Sequence, residues 1–453
     1  MQVTSTLTEG LKREFKVVVP AAELDERLST RLTSMKDEVR IKGFRPGKVP
    51  VSHLRRLVGK STMAETVQNV ISEVARNTLT ERGERAAMQP SFDLPEDTGE
   101  AEKVLAGQAD LAYVMRYEVL PTFELKDYKS IAIERPVADV SDSEVDAELT
   151  RLAENARTFS PKTGPAADGD QLTISYLGKV DGVPFEGGAD ENAIVRLGQS
   201  RFIPGFAEQL EGLAAGDEKV INVTFPADYG AANLAGKDAT FDIVVKDVAA
   251  ADPVTIDDEL AKRVGLESLA QLRDAIRSQI QSRYGMATRQ KVKRQILDQL
   301  DSLHAFELPE TMVAQEFENI WRQITSEMEQ SGRTFESEET TEEAARADYR
   351  KIAERRVRLG LVLSQIGEAN NIQVTDEEVQ RALGAQLRQF PGREQVLIDY
   401  YRANPDAVAG LRAPIFEEKV VDFLLELVKV TDTTVSPEEL LKEETEEGAV
   451  SVA

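Results

Sequence analysis

"QLTISYLGKVDGVPFEGG", residues 171 to 188, is the stretch at which the hydrophobic period of the chain becomes two. Leu172, Ile174 and Tyr176 alternate with Gln171, Thr173 and Ser175, the pattern of a strand with one buried face, and Asp181-Gly182 is a turn pair. The period recurs in "AIVRLG", "EKVINVTFP" and "ATFDIVVKDV", with Gly-containing turns between. Residues 158–248 therefore read as a compact antiparallel β domain with one short helix.

On both sides of it the period is helical. Upstream, "REFKVVVP" and "DLAYVMRYEVLP" read as strands, while Leu24, Leu28, Leu32, Met35 and Val39 fall at helical steps and a second helix is expected from Met63 to Leu79. Residues 1–120 make an α+β domain. A connector, 121–157, runs extended through "FELKDYKSIAIERP" and enters a helix at Ser141, which with Glu144 forms a capping-box pattern. From Asp257 onward the chain is helical. Leu269, Leu272, Ile276 and Ile280, then Ile296, Leu300 and Leu303, read as one long helix or two consecutive ones. Further helices are expected at 310–328, 342–368, 376–389 (capped by Thr375 with Glu378) and 413–430. Charges interrupt their apolar faces, so residues 249–431 are expected to form elongated arms. The fold class is thus multidomain α+β, consistent with 453 residues at roughly 150 per domain.

Composition narrows the chemistry. With no cysteine there is no thiolate nucleophile and no Cys-ligated metal site. The two histidines, His53 and His304, lack acidic neighbours at ligand spacing, so neither metal nor cofactor is called for and a Ser-His-Asp triad is a poor reading. No stretch approaches the roughly 18 to 20 apolar residues of a membrane span, and "MQVTSTLTEG" lacks the features of a signal peptide, so a cytoplasmic location is expected.

Charge is unevenly placed. The chain carries a net charge of -25, yet from Arg31 to Lys60 nine Lys or Arg face only Asp37 and Glu38. Residues 432–453 are acid-rich and read as a disordered tail. Within the basic segment lies "IKGFRPGKVP", residues 41 to 50, where Gly43, Pro46, Gly47 and Pro50 break helix continuation and expose Phe44 and Arg45 between Lys42 and Lys48. Such a loop suits a polyanionic partner such as RNA.

The aromatic residues of the β domain have two readings. Tyr176, Phe185, Phe202, Phe206, Tyr229 and Phe241, with Ile203, are either its core or the lining of an apolar cleft with few titratable groups. A cleft of that kind suits rotation about an X-Pro bond, whose barrier of about 18–20 kcal/mol comes from amide resonance and is crossed without proton transfer. An apolar pocket that fits the twisted amide better than either planar isomer lowers it by differential binding. Tyr229 or a backbone N–H could hold the substrate carbonyl.

"GFRPGKVP", "FIPGF" and the long helical remainder, in that order, resemble the bacterial trigger factors, and the resemblance covers nearly the whole chain outside the acidic tail and the polar stretch 95–109. It implies an N-terminal domain docked on the large ribosomal subunit, protein and rRNA, beside the peptide exit. It also implies an FKBP-type prolyl isomerase domain and a helical chaperone domain that holds nascent and unfolded chains, and it leaves open a homodimer off the ribosome. The signature loop falls on Gly43, Phe44, Arg45, Pro46 and Gly47, supported by Lys42 and Lys48. The isomerase pocket falls on Tyr176, Phe185, Glu186, Phe202, Ile203, Phe206, Tyr229 and Phe241. Phe206 stands where macrolide-binding relatives carry Trp, and Glu186 where they carry Asp, which puts macrolide binding in doubt but not isomerisation. Residues 121–150 are expected to pack with the C-terminal helices. The client surface is expected among Met286, Met312, Met328, Leu359, Leu363, Phe416 and Leu424, residues that serve equally well as core. Two rivals stand beside this reading: a free isomerase, disfavoured by the basic loop, and a binding protein with an inactive isomerase fold. Periplasmic parvulin-type chaperones are disfavoured by the missing signal peptide.

Overall fold

Alternation in "KREFKVVV" builds strand β2 (Lys12–Val19), which buries Phe15, Val17 and Val19. It lies between β1 (Gln2–Glu9) and the later strand Leu111–Glu118 in an antiparallel sheet. The chain is represented by a computed structural model that describes residues 1–36, 44, 49–94, 97–198, 202–226, 229–231, 233–337 and 340–442. It divides into two compact units, residues 1–136 with 288–453, and residues 137–287.

In the first unit, helix α1 (Ala21–Ser34) follows Pro20 and buries Leu24, Leu28 and Leu32, the spacing expected of it. Val39, the last residue of that expected face, lies outside the described residues. Helix α2 (Val51–Arg82) starts well before the expected Met63. The reason is Pro50: as N-cap it is extended, with φ -63° and ψ 136°, so it ends the loop without obstructing a helix that begins one residue later. Leu54, Met63 and Val70 form the buried face. Gly83, at φ 63°, ends the helix as the Glu84 N–H bonds the Leu79 carbonyl at 3.1 Å. Strand β3 (Ser91–Asp93), helix α3 (Thr98–Leu105) and strand β4 (Leu111–Glu118) complete a sheet of order β1-β2-β4-β3. The polar stretch thus supplies a short helix, with the Asp97 side chain accepting from the Gly99 N–H. Strand β5 (Ala132–Val137) follows.

Glu84 locks this domain. Its carboxylate accepts from Arg13 Nε at 2.9 Å, Arg82 Nε at 2.9 Å and the Tyr117 hydroxyl at 2.8 Å. Burial alone would raise its pKa, but these three donors outweigh burial and bring it down from 4.5 to about 2. The folded state therefore binds fewer protons than the unfolded one, and the stabilisation, about 3 kcal/mol, is complete above pH 4.5 and lost as pH falls towards 2. Glu84→Gln should flatten the acid limb over that window. Amide exchange in β4 measured between pH 2 and 5 checks it, and an unchanged slope would assign the acid limb to other carboxylates.

In the second unit, helix α4 (Asp142–Asn155) starts with the expected capping box: the Glu144 N–H donates to Ser141 Oγ at 3.3 Å and the Ser141 N–H to Glu144 Oε2 at 2.9 Å. Strands β6 (Phe159–Pro161), β7 (Gln171–Val180), β8 (Val183–Arg196), β9 (Glu218–Thr224) and β10 (Asp238–Ala251) form an antiparallel sheet of order β6-β10-β7-β8, with β9 on β10. Leu172, Ile174, Val195, Ile221 and Ile243 are its core. Asp252 follows β10 and closes the neck: its N–H bonds the Thr158 carbonyl at 3.0 Å and its carboxylate accepts from Thr158 and Ser160 at 2.6 and 2.7 Å. Helix α5 (Asp258–Arg263) and the start of α6 (Leu269–Leu303), one continuous helix, end the unit. Arg273 and Arg277 of α6 pair with Asp146 and Asp142 of α4 at 2.7 and 2.6 Å.

The chain then returns to the first unit through helices α7 (Glu310–Ser331), α8 (Glu342–Ala369), α9 (Asp376–Leu387), α10 (Glu394–Ala403) and α11 (Pro405–Leu427). Helix α11 begins before the expected residue 413 because Pro405 takes its first turn and Pro414 is accommodated inside it. Ile131 and Ile133 join Ile296 and Leu300 of α6, Leu359 and Leu363 of α8 and Leu424 of α11 in one core. The early connector, residues 123–133, therefore packs on these helices, whereas α4 belongs to the other unit. Between the helices run ion pairs, Arg356–Glu316 at 2.8 Å, Arg358–Asp301 at 2.7 Å and Lys293 at 2.6 Å from both Glu417 and Glu418. Glu118, at the end of β4, accepts the Thr311 N–H and hydroxyl at 2.7 Å each and caps α7.

The tail departs from expectation. Strand β11 (Lys429–Thr434) pairs with β5, Arg135 bonds Asp432 at 2.7 Å, and helix α12 (Pro437–Leu441), capped by Ser436, buries Leu440. Acid-rich composition concealed a β-forming run, "KVTDTT", whose partner lies nearly 300 residues upstream. Residues 443–453 lie outside the described residues. None of the helices is long and apolar enough to cross a membrane, among the described residues.

Candidate functional site

In the β domain, β7 supplies Tyr176, the start of β8 supplies Phe185 and Glu186, and β10 supplies Phe241. The segment before the short turn at 208–210 supplies Phe202, Ile203 and Phe206, fixed by the Phe206 N–H bonding the Ile203 carbonyl at 3.1 Å. The Tyr229 N–H bonds the Pro226 carbonyl at 3.1 Å.

The rings touch in series. Phe202 stacks on Phe206 at 4.8 Å between centroids, and Tyr176 meets Phe202, Phe206 and Phe241 edge-on at 6.3, 6.0 and 5.8 Å. Phe206 also meets Phe241 at 5.2 Å, and Phe185 meets Phe241 at 6.0 Å. Burial is graded: Phe206 and Phe241 are buried, Tyr176, Phe185, Phe202 and Ile203 half-buried, Glu186 exposed and Tyr229 42% exposed. The core reading fits the floor, and the cleft reading fits the rim. The Tyr176 hydroxyl is pushed above its ordinary pKa of 10 by burial first and then by the charge of Asp190, which keeps it protonated at neutral pH.

Two close approaches shape this wall. A Cβ at Gly178 would fall 2.6 Å from Phe241 and 2.8 Å from Phe185, and one at Gly188 2.7 Å from Phe185. The Phe185 ring is thus slotted between two backbone segments that must both be glycine.

Of the basic loop, Phe44 is described and is exposed, its ring 5.0 Å from that of His53 in the first turn of α2. Lys42, Gly43, Arg45, Pro46, Gly47 and Lys48 lie outside the described residues. His304 is a buried, satisfied side chain that accepts the Lys126 N–H at 3.1 Å and lies 2.8 Å from the Leu300 carbonyl. Among the described residues no group of His, Cys, Asp or Glu is arranged to hold a metal ion.

Known proteins match along the whole chain. The family described as bacterial trigger factor protein matches residues 1–152, FKBP-type peptidyl-prolyl cis-trans isomerase matches 162–246, and the bacterial trigger factor C-terminus matches 268–426. The trigger factor of Sinorhizobium fredii is 59% identical over 444 residues, 98% of this chain and 90% of the relative. That of Brucella abortus is 59% identical over 443 residues, 98% and 94% of the two chains. The chain belongs to the trigger factor family.

It is accordingly a ribosome-associated chaperone with an FKBP-type prolyl isomerase domain. A solved trigger factor, from work on promiscuous substrate recognition in folding and assembly, superposes with a TM-score of 0.55 at 19% identity. The match covers 94% of this chain and 99% of that one, so the fold is the trigger factor fold. Within that fold the ring series has a member that reading the sequence passed over. Phe225 is buried, 5.8 Å from Phe185 and 4.7 Å from Tyr229 between centroids. It directly follows β9, where an alternating strand makes one more apolar residue look like core. Pro226, which interrupts the alternation, and Tyr229, four residues beyond Phe225, were the signals that Phe225 belongs with the cleft rings.

Proposed function

We propose that the ring-lined cleft is the isomerase site, with Phe206 and Phe241 as floor, Tyr176, Phe185, Phe202 and Ile203 as walls, and Tyr229 and Glu186 at the rim. The observation that carries this is the gradation of burial from floor to rim across one continuous series of ring contacts. An apolar floor desolvates the prolyl amide, and the Tyr229 hydroxyl or a backbone N–H at the rim holds its carbonyl while the bond twists. The domains are 1–120 for docking, 121–157 as connector, 158–248 for isomerisation and 249–431 for holding chains. The partners on this reading are the large ribosomal subunit beside the peptide exit, through Lys42 to Lys48, and nascent polypeptides, in the cytoplasm. A homodimer off the ribosome belongs to the same reading.

Acceleration of proline-limited refolding tests the site. Phe202→Ala is expected to lower kcat/KM about tenfold, since it removes a wall that touches the twisted amide. The profile should stay nearly flat between about pH 6 and 8, because the Tyr176 hydroxyl remains protonated there and no proton transfer is needed. A steep profile with one inflection near neutrality would replace this mechanism by acid-base catalysis.

A further inference from the structure

We infer that Phe225 is a positioning residue for the isomerisation, fixing the Tyr229 hydroxyl over the cleft. This rests on the assignment of the ring series as the site. Tyr229 is the most exposed aromatic of that series, so its ring needs a fixed surface to hold one rotamer. Phe225 is such a surface. Its backbone is pinned on both sides: its N–H donates to the Lys237 carbonyl at 2.9 Å and its carbonyl accepts the Gly236 N–H at 3.2 Å. Its ring is edge-on to Phe185 at 78° and tilted at 54° against Tyr229. The Phe185 ring in turn lies close against the backbone of Gly178 and Gly188. A line of ring contacts thus runs from the floor at Phe241 through Phe185 and Phe225 to Tyr229, its most exposed member.

The chemistry explains why the line ends in a tyrosine. The prolyl amide twists without a proton moving, so the carbonyl oxygen must be held in place rather than attacked. A hydroxyl that is already oriented spends no binding free energy on ordering its side chain when substrate arrives. A Tyr229 left to swing would still reach the carbonyl, but from a disordered start.

Full-length variants and a proline-limited refolding substrate test this. Phe225→Leu keeps an apolar side chain but removes the ring face, and is expected to lower kcat/KM about fivefold, with KM carrying most of the change. Tyr229→Ala should lower kcat/KM by at least as much. The deciding measurement is the double variant: if Phe225 acts through Tyr229, Phe225→Leu has no further effect in the Tyr229→Ala background. Additive losses, or an unaltered kcat/KM for Phe225→Leu, overturn the inference. Phe225→Trp, which restores a ring, should recover part of the loss if the folded fraction by circular dichroism matches that of the Leu variant. Phe202→Ala separates the two levels of the argument. If it leaves catalysis unchanged, the site assignment itself fails, whereas loss with Phe202→Ala and none with Phe225→Leu removes Phe225 alone.

Discussion

A full-length chain with Phe44, Arg45 and Pro46 all replaced by alanine is expected to lose co-sedimentation with ribosomes while keeping its fold. The fold should survive because the domain is held elsewhere. Val49 and Leu54, just beyond the loop, are buried with Leu24, Leu28 and Leu32, whereas Phe44 is exposed and touches the ring of His53. Binding should fail because the loop combines the three elements a ribosomal surface can engage. Arg45 offers a planar fork for a phosphate or carboxylate, Phe44 an apolar anchor, and Pro46 a fixed backbone angle that limits how far the two can stray. The chain as a whole is acidic, with a net charge of -25, so surfaces away from this basic segment offer RNA little substitute contact. Salt separates the contributions. If Lys42, Arg45 and Lys48 all reach phosphates, the logarithm of affinity should fall with the logarithm of salt at a slope of about -2 to -3, and Arg45→Ala alone should reduce that slope by about 1. A flat response would make Phe44 the dominant anchor, and unchanged co-sedimentation of a folded triple variant would refute the docking assignment outright.

Local patterns were legible wherever one element decides its own shape. Leu24, Leu28 and Leu32 announce α1 by spacing alone, and Ser141 with Glu144 and Thr375 with Glu378 announce two helix starts that the hydrogen bonds confirm. The β domain was legible because its period differs from that of everything around it. What stayed hidden depends on partners distant in sequence. Strand β11 is polar and short, and becomes a strand because β5 lies beside it. Leu359, Leu363 and Leu424, which the sequence left open between client contact and core, are core because α6, α8 and α11 converge on them, while Met286 is exposed. At the site, Phe206 and Phe225 look alike in sequence, each a Phe in an apolar surround. Only three-dimensional contact distinguishes a floor from a brace.

The largest separation of functions should come from excising the isomerase domain. Its two ends meet: Asp252 is bonded to Thr158 through both backbone and side chain, and β6 pairs with the end of β10, Phe159 opposite Ala251. A short Gly/Ser linker can therefore join residue 157 to residue 253 without stretching either segment, and closing so short a loop costs little. The excised part carries its own core, from Leu172 to Ile243, so residues 158–252 should fold alone and accelerate proline-limited refolding. The remainder is expected to show no isomerase activity yet still suppress aggregation of an unfolded client. Its described surface includes Phe390, Val396 and Tyr400, exposed by 48, 68 and 55%, around helix α10, which buries none of its own residues. Scattered apolar contacts of this kind, set among charges that keep the chaperone dispersed, suit many unfolded sequences better than one. The isolated isomerase domain, with a single small cleft, should protect the same client weakly. Light scattering of a denatured client diluted into each protein decides the matter: protection by the isolated domain alone would reduce the helical region to a scaffold and end its assignment as the holding surface.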